Sequence, residues 1–579
     1  MFLPTTQNEM KMLGWDQLDV LLVTGDSYID SPYIGIAVIG KVLLNAGYRV
    51  GVIAQPNFNS ETDITRLGEP RLFWGVSGGS IDSMVANYTA TLKKRKSDDY
   101  TPGGINNRRP DRAVIVYSNL IRRYFKNTVP IVLGGIEASL RRVPQYDYWS
   151  GKIRGSILFD AKADILAYGM AEKTVLQIAD KLAKQAAYQD IPGICYISKE
   201  PKSEYVQLPA FEQVVSDKLA FTQMFHDFYQ NNDPLTANGL SQAHTGRFLI
   251  QNPPTAYESQ EELDTIYQLK YELAQHPYYE IMGSVKALET IKYSISTHRG
   301  CYGECNFCAI AVHEGRTVRW RSQASIIHQA KSFLDHPDFK GNIIDLGGPT
   351  ANMYGYECQK KLTKGACADR RCLYPVKCPA LKVDHQSEMD LLQKIRQIEG
   401  IKKVYVASGV RYDLILADQK NGRRYLRELV NHHISGQMKI APEHSEDNVL
   451  EKMGKPGKSD LLEFKNLFDQ MNREANKKQY LTYYFIAAYP GCSEREMFRL
   501  KEFTTGKLKA HPEQVQVFTP TPSTYASLMY YTEMDPFTLK PVYVEKNLKK
   551  KQIQKDIVTG QTAQNRQAPS KMKRTYPKG

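Results

Sequence analysis

Apolar residues recur along the chain in short runs that end in small residues and give way to stretches of mixed polarity. LDVLLVTG (18–25), YRVGVIAQP (48–56), LFWGVSGGS (72–80), VPIVLGGIEAS (129–139) and DILAYGMAEKTV (164–175) are such runs. Apolar strands alternating with helix-compatible stretches predict an open α/β domain, a doubly wound parallel sheet with helices on both faces. Ligands of such sheets sit at the strand carboxyl ends, where these glycine-bearing turns cluster. None of the turns spells GxGxxG, so no dinucleotide fingerprint is present. Residues 93–112 are polar and rich in turn formers, and read as a long surface loop.

The rhythm lapses between 198 and 285, where few strands are legible and several stretches look helical and aromatic; this part reads as a connecting region. From about 286 it resumes with ETIKYSIST, NIIDLGG, KKVYVASG, GQMKIAP, YLTYYFIAAYPG and EQVQVFTPTP. Six successive βα units predict a partial (β/α)6 barrel with its reactive groups at the carboxyl ends of the strands. The expected organisation is an α/β domain over 1–197, a connection over 198–285, a core over 286–540 and a tail over 541–579.

Composition is that of an ordinary globular chain: 42% hydrophobic and 24% charged over 579 residues. The formal charge of +14 is unevenly spread, because residues 541–579 hold ten Lys and Arg against Glu545 and Asp556. Such a segment buries little apolar surface, so disorder is expected there, with RNA as the partner a basic tail could hold. No secretory leader and no apolar run long enough to span a membrane is visible, which points to the cytoplasm and to no membrane partner.

Seven of the nine cysteines fall between 301 and 378. An odd count without a leader argues against a disulfide framework, and the density points to metal. HRGCYGECNFCAI (298–310) spaces Cys301, Cys305 and Cys308 as CxxxCxxC, with Phe307 before the last. Three thiolates on one loop can hold three irons of a [4Fe-4S] cluster and leave the fourth open. Zinc is the competing reading, with His313 or a distant cysteine completing the tetrahedron. A second group, Cys358, Cys367, Cys372 and Cys378, can satisfy either tetrahedral zinc or an auxiliary iron–sulfur cluster. Cys195 reads as a buried small hydrophobe, and Cys492 as structural.

The loop with Cys301, Cys305, Phe307 and Cys308 resembles the signature of the radical S-adenosylmethionine (radical SAM) superfamily, CxxxCxφC with φ aromatic. More narrowly, LDVLLVTGDSYIDSPYIG, IVLGGIEASLRR, STHRGCYGECNFCAI, DLGGPTANMYG, KIAPEHSE and FTPTPSTYASLMYYT resemble the YgiQ-type family, over roughly residues 15–540. The resemblance implies an enzyme in which SAM chelates the open iron. One electron, from an external donor, then cleaves SAM to methionine and a 5′-deoxyadenosyl radical that abstracts a hydrogen from a substrate. It aligns Gly347 and Gly348 with a GGE-like turn that binds the SAM amino group, although Pro349 stands where the acidic residue belongs. It also sets Arg411 near the SAM carboxylate, with a structural ion pair as the alternative, and YPGCSERE (489–496) near the adenine. Glu443 and His444 could line the mouth of the barrel.

An open α/β domain ahead of such a core resembles the cobalamin-binding arrangement, which ligates cobalt through a histidine after the first strand. Here that loop reads GDSYIDSPYIG, with Asp26 and Asp30 but no histidine, so loss of cobalamin is expected. Two other readings stand beside the enzyme: an iron–sulfur or zinc RNA-binding protein without SAM turnover, and radical methyl or methylthio transfer to RNA.

Overall fold

A computed structural model describes residues 1–560 of the chain. The apolar runs of the first third become neighbours in one nine-stranded sheet. From edge to edge its order is Val206–Leu208, Leu240–His244, Arg247–Gln251, Ile194–Ser198, Ile165–Ala167, Ile131–Gly134, Phe73–Ser77, Val20–Thr24 and Val50–Ala54. The five strands from Ile165–Ala167 to Val50–Ala54 are mutually parallel. Successive residues of Val20–Thr24 go to opposite faces, Val20 and Leu22 into one apolar cluster and Leu21 and Val23 into another. Helices Gly35–Asn45 and Glu172–Ala183 cover the first face, and Ala113–Tyr124 the second. Burial on both faces is why these strands read as unbroken apolar runs.

The stretch expected to be a connection differs from that expectation. Between 198 and 285 the chain adds Val206–Leu208, Leu240–His244 and Arg247–Gln251 to the sheet, the last pairing antiparallel with Ile194–Ser198. These strands lie towards an edge and carry polar residues such as Ser241, Gln242 and Arg247, so they show no apolar run. Their hairpin turns through Thr245 and Gly246, both left-handed at φ 47° and 75°, as a two-residue turn of the primed kind requires.

The later strands form a second parallel series. Ser294–Ser296 pairs with Asp345–Gly347, Asn342–Ile343 with Lys403–Val404, Val410 bridges Ile440, and Gln437–Glu443, Tyr480–Ala487 and Val515–Val517 follow side by side. Every one of these pairings is parallel, and all six apolar runs of this region take part.

The tail is a further correction. Leu548–Thr559 is a helix capped by Asn547, not a disordered segment. Its Lys551 is buried and donates to the hydroxyls of Tyr148 (3.0 Å) and Tyr530 (2.9 Å), while Gln554 accepts from the Ala488 amide at 2.9 Å. Composition misled here because lysine and glutamine count as solvated residues, yet their stems and polar ends find partners inside. The rest of the tail, 561–579, lies outside the described residues. Among the described residues no helix is long and apolar enough to cross a membrane.

Candidate active site

The cysteine loop leaves the end of Ser294–Ser296 through a short ladder in which His298–Arg299 pairs with Arg319–Trp320. Gly300 makes the turn at φ 80°, and a Cβ there would lie 2.6 Å from the Thr317 carbonyl oxygen, so only glycine fits. The loop then folds on itself. The Gly303 amide donates to Cys301 Sγ at 3.3 Å, and the Cys308 amide donates to the Cys305 carbonyl at 3.0 Å. A Cβ built on Gly303 would lie 3.3 Å from Cys301 Sγ, 3.6 Å from Cys305 Sγ and 2.9 Å from Arg411 Nη1. Gly303 therefore keeps open the space that these two thiols and the guanidinium share.

Burial pushes the Cys301 and Cys308 thiols up, and Cys308 feels Cys305 and Cys301 in addition. Thiols so placed resist losing their protons to water, whereas a metal centre takes the proton's place. Besides the Gly303 amide, the loop's sulfurs have longer side-chain partners: Thr350 Oγ1 at 3.5 Å from Cys301 Sγ and Arg411 Nη1 at 3.8 Å from Cys305 Sγ. This donor set of crowded, sparsely bonded thiols fits a thiolate-held iron–sulfur group. His313, the candidate fourth zinc ligand, points elsewhere, its Nδ1 lying 3.1 Å from Ser139 Oγ of the N-terminal part.

Three anchors hold the loop. Phe307 meets the Tyr489 ring edge-on at 6.3 Å. Asn306 donates through its amides to the Met453 and Lys452 carbonyls. Glu304, left-handed at φ 47°, is buried and faces Arg316 (3.0 Å) and Lys361 (3.3 Å). Sequence inspection passed over Glu304, and its place inside the cysteine motif was the available signal.

DLGGPT lies directly beside the loop. Thr350 touches Cys301, and the Gly347 carbonyl accepts from the Thr297 amide at 2.7 Å. A Cβ on Gly348 would fall 2.6 Å from the His298 ring, which explains the second glycine. Pro349 carries no charge, and the nearby carboxylate is Asp345, which accepts from the amides of Ala407 (2.8 Å) and Ser408 (3.0 Å) and from the Ser408 hydroxyl. Arg411 is buried and grips Asp413 through Nε (2.9 Å) and Nη2 (2.6 Å), leaving Nη1 for the Cys305 side.

Other candidates fall into structural settings. Burial holds His444 neutral, with a pKa near 3; its Nδ1 accepts from the Glu446 amide and its Nε2 lies 3.5 Å from Cys492 Sγ. Burial raises Glu443 to about 7, against the pull of Lys455 and Arg411. Cys195 is wholly buried in the N-terminal sheet.

A cavity of about 470 Å³ separates the carboxyl ends of the N-terminal strands from this core. Thr24, Ser77, Gly134 and Gly169 line it on the sheet side, and Gly348 and His298 on the core side. On residues that line it, the buried polar atoms Ser80 Oγ, Glu172 Oε2, His298 Nε2 and Arg299 Nη1 make no hydrogen bond within the protein. The loop after the first strand contributes no histidine: Asp26 pairs with Arg109 at 2.8 Å, and Asp30 with Lys41 at 2.9 Å.

The family model described as radical SAM N-terminal matches residues 2–294, and a domain of unknown function, DUF3362, matches 513–572. A UPF0313 protein of Fusobacterium nucleatum is 59% identical over 96% of this chain and 98% of its own. One from Thermotoga maritima is 46% identical over the same shares. Among solved structures, TsrM from Kitasatospora setae, a radical S-adenosylmethionine methyltransferase with cobalamin and a [4Fe-4S] cluster bound, is similar in fold. It has a TM-score of 0.52 at 14% identity, covering 88% of this chain and 77% of that one. Full-length identity to the UPF0313 proteins, with the N-terminal match and the cysteine loop, means that this chain belongs to the UPF0313 family, the YgiQ-type radical SAM proteins.

Proposed function

We propose that this chain is a radical SAM enzyme whose core, residues 286–540, is a partial (β/α)6 barrel carrying a [4Fe-4S] cluster on Cys301, Cys305 and Cys308. The observation that carries the reading is the GGPT turn, which touches the cysteine loop and the cavity at once. Thr350 Oγ1 sits 3.5 Å from Cys301 Sγ, while Gly347, Gly348 and Pro349 line the cavity. Bound there, the cluster and SAM would supply one-electron cleavage to methionine and a 5′-deoxyadenosyl radical.

The chain's own residues do the rest. Gly347 and Gly348 let the ligand approach the backbone closely. Arg411, oriented by Asp413, holds positive charge at the Cys305 side, where a carboxylate is to be received. The buried walls exclude water from the reacting groups. The unpartnered polar atoms of the cavity, Ser80 Oγ, Glu172 Oε2, His298 Nε2 and Arg299 Nη1, orient a polar substrate between the two halves. No histidine follows the first strand to ligate cobalt, so we read the cavity as a substrate site in a chain that has lost cobalamin. The test is anaerobic incubation of iron-loaded protein with dithionite and SAM. Release of 5′-deoxyadenosine that disappears in Cys305→Ala supports the reading, and iron-loaded protein that never cleaves SAM overturns it.

A further inference from the structure

Cys358, Cys367, Cys372 and Cys378 come together around one void of about 300 Å³. None of them is in a disulfide. We propose that these four thiols hold a second [4Fe-4S] cluster, a site that does not depend on SAM chemistry at the first.

The size of the void chooses between the two metals that four thiolates can take. A tetrahedral zinc draws its sulfurs to about 2.3 Å from one point, hence about 3.8 Å from one another, and leaves no cavity between them. Four cysteines lining one void of about 300 Å³ leave room for a polynuclear iron–sulfur core instead.

Charge points the same way. A cluster held by four thiolates is anionic, and the walls supply cations in excess. Lys361 is 2% exposed and donates to the Arg316 carbonyl at 2.5 Å. Lys361 and Arg316 share the single Glu304 carboxylate, while Arg371 donates to the Glu304 carbonyl at 3.0 Å. Arg370 Nη1 lies 3.9 Å from Cys378 Sγ. These cations lie where they offset the negative charge of a cluster held by four thiolates.

The loop is already shaped for the task. The Cys378 amide donates to the Cys372 carbonyl at 2.8 Å, the Leu381 amide donates to the Cys378 carbonyl at 3.1 Å, and Arg316 Nη2 donates to the Cys367 carbonyl at 2.9 Å. Cys358 and Cys372 pack in one apolar cluster with Tyr302 and Tyr356, against which Cys301 also rests. The two cysteine groups are thus neighbours, bridged by Glu304 and Lys361.

The experiment is iron, zinc and acid-labile sulfide analysis of the full chain, purified and reconstituted without oxygen. Wild type is compared with the triple variant Cys301→Ser, Cys305→Ser, Cys308→Ser, whose second loop is intact. The expected result is about eight irons and eight sulfides per wild-type chain, and about four of each in the triple variant with a cluster EPR signal after reduction. Adding Cys367→Ser and Cys372→Ser then removes the remainder. About four irons in wild type with none in the triple variant overturns the proposal, as does one zinc per chain bound by the second loop. If the triple variant does not fold, Cys367→Ser with Cys372→Ser in the otherwise wild-type chain decides: loss of about four irons supports the site and unchanged iron overturns it.

Discussion

Arg299 Nη2 lies 2.7 Å from Glu172 Oε1, and both side chains are buried. This pair joins the ladder that leads into the cysteine loop to the first turn of a helix on the N-terminal sheet. It closes one wall of the cavity between the two halves, and with His313 and Ser139 it fixes how the halves meet. Replacing Glu172 by Gln keeps the shape and removes the charge that faces Arg299. Glu258 and Glu314 remain near Arg299, so the loss is a part of the about 3–5 kcal/mol that breaking a buried pair costs. The urea midpoint of Glu172→Gln should fall accordingly, while Glu262→Gln, at an exposed pair with Lys173, should leave it nearly unchanged.

Cys305→Ala should lower the iron content by about four per chain and abolish 5′-deoxyadenosine release. Cys195→Ala, in the N-terminal sheet, should keep all the iron. Metal analysis of the two variants side by side checks this.

Arg411→Lys keeps a positive charge but gives up the two-pronged hold on Asp413. The expected outcome is unchanged iron and SAM affinity weakened about tenfold, measured by equilibrium binding to iron-loaded protein. Iron loss in this variant would instead make Arg411 part of the scaffold of the loop.

Gly348→Ala sets a methyl 2.6 Å from the His298 ring, and overpacking of this kind costs about 1–3 kcal/mol. A Cβ on Gly409 meets nothing within 4 Å, so Gly409→Ala serves as the silent companion. Thermal melts of both variants test the pair.

Burial raises the carboxyl of Glu443 from its ordinary 4.5 to about 7 in the folded chain. The stability this group contributes is complete below about pH 4.5, where it is protonated both folded and unfolded. It is lost as the pH rises to 7, because the unfolded chain releases the proton first. Glu443→Gln removes that loss. Its urea midpoint should exceed that of wild type by a margin that grows from pH 5 to pH 7.5; a margin independent of pH would show that Glu443 does not titrate in this range.

Much of this arrangement is legible in the primary structure. Strands buried on both faces, such as Val20–Thr24 and Val50–Ala54, announce themselves because every position is pressed towards the same chemistry. The cysteine loop is legible because ligand spacing is local. Strands towards the sheet edge, such as Leu240–His244, were hidden because they carry polar residues such as Ser241 and Gln242. The ion pairs that furnish the site were hidden for a different reason. Glu304 with Lys361, and Arg299 with Glu172, join positions 57 and 127 residues apart, and nothing in either neighbourhood marks its partner. Resemblance alone singles out Arg411 and leaves a structural ion pair open, and the partner in that pair, Asp413, emerges only from the geometry.

The helix Leu548–Thr559 has a consequence for how the molecule is made. Its Lys551 is seated between Tyr148, from the first third of the chain, and Tyr530, so one of the last described elements to be synthesised completes a contact begun hundreds of residues earlier. The N-terminal half therefore cannot mature as a separate bead while the ribosome is still at work. Nascent chains halted before residue 548 should stay open to protease around Tyr148 long after their sheet has formed.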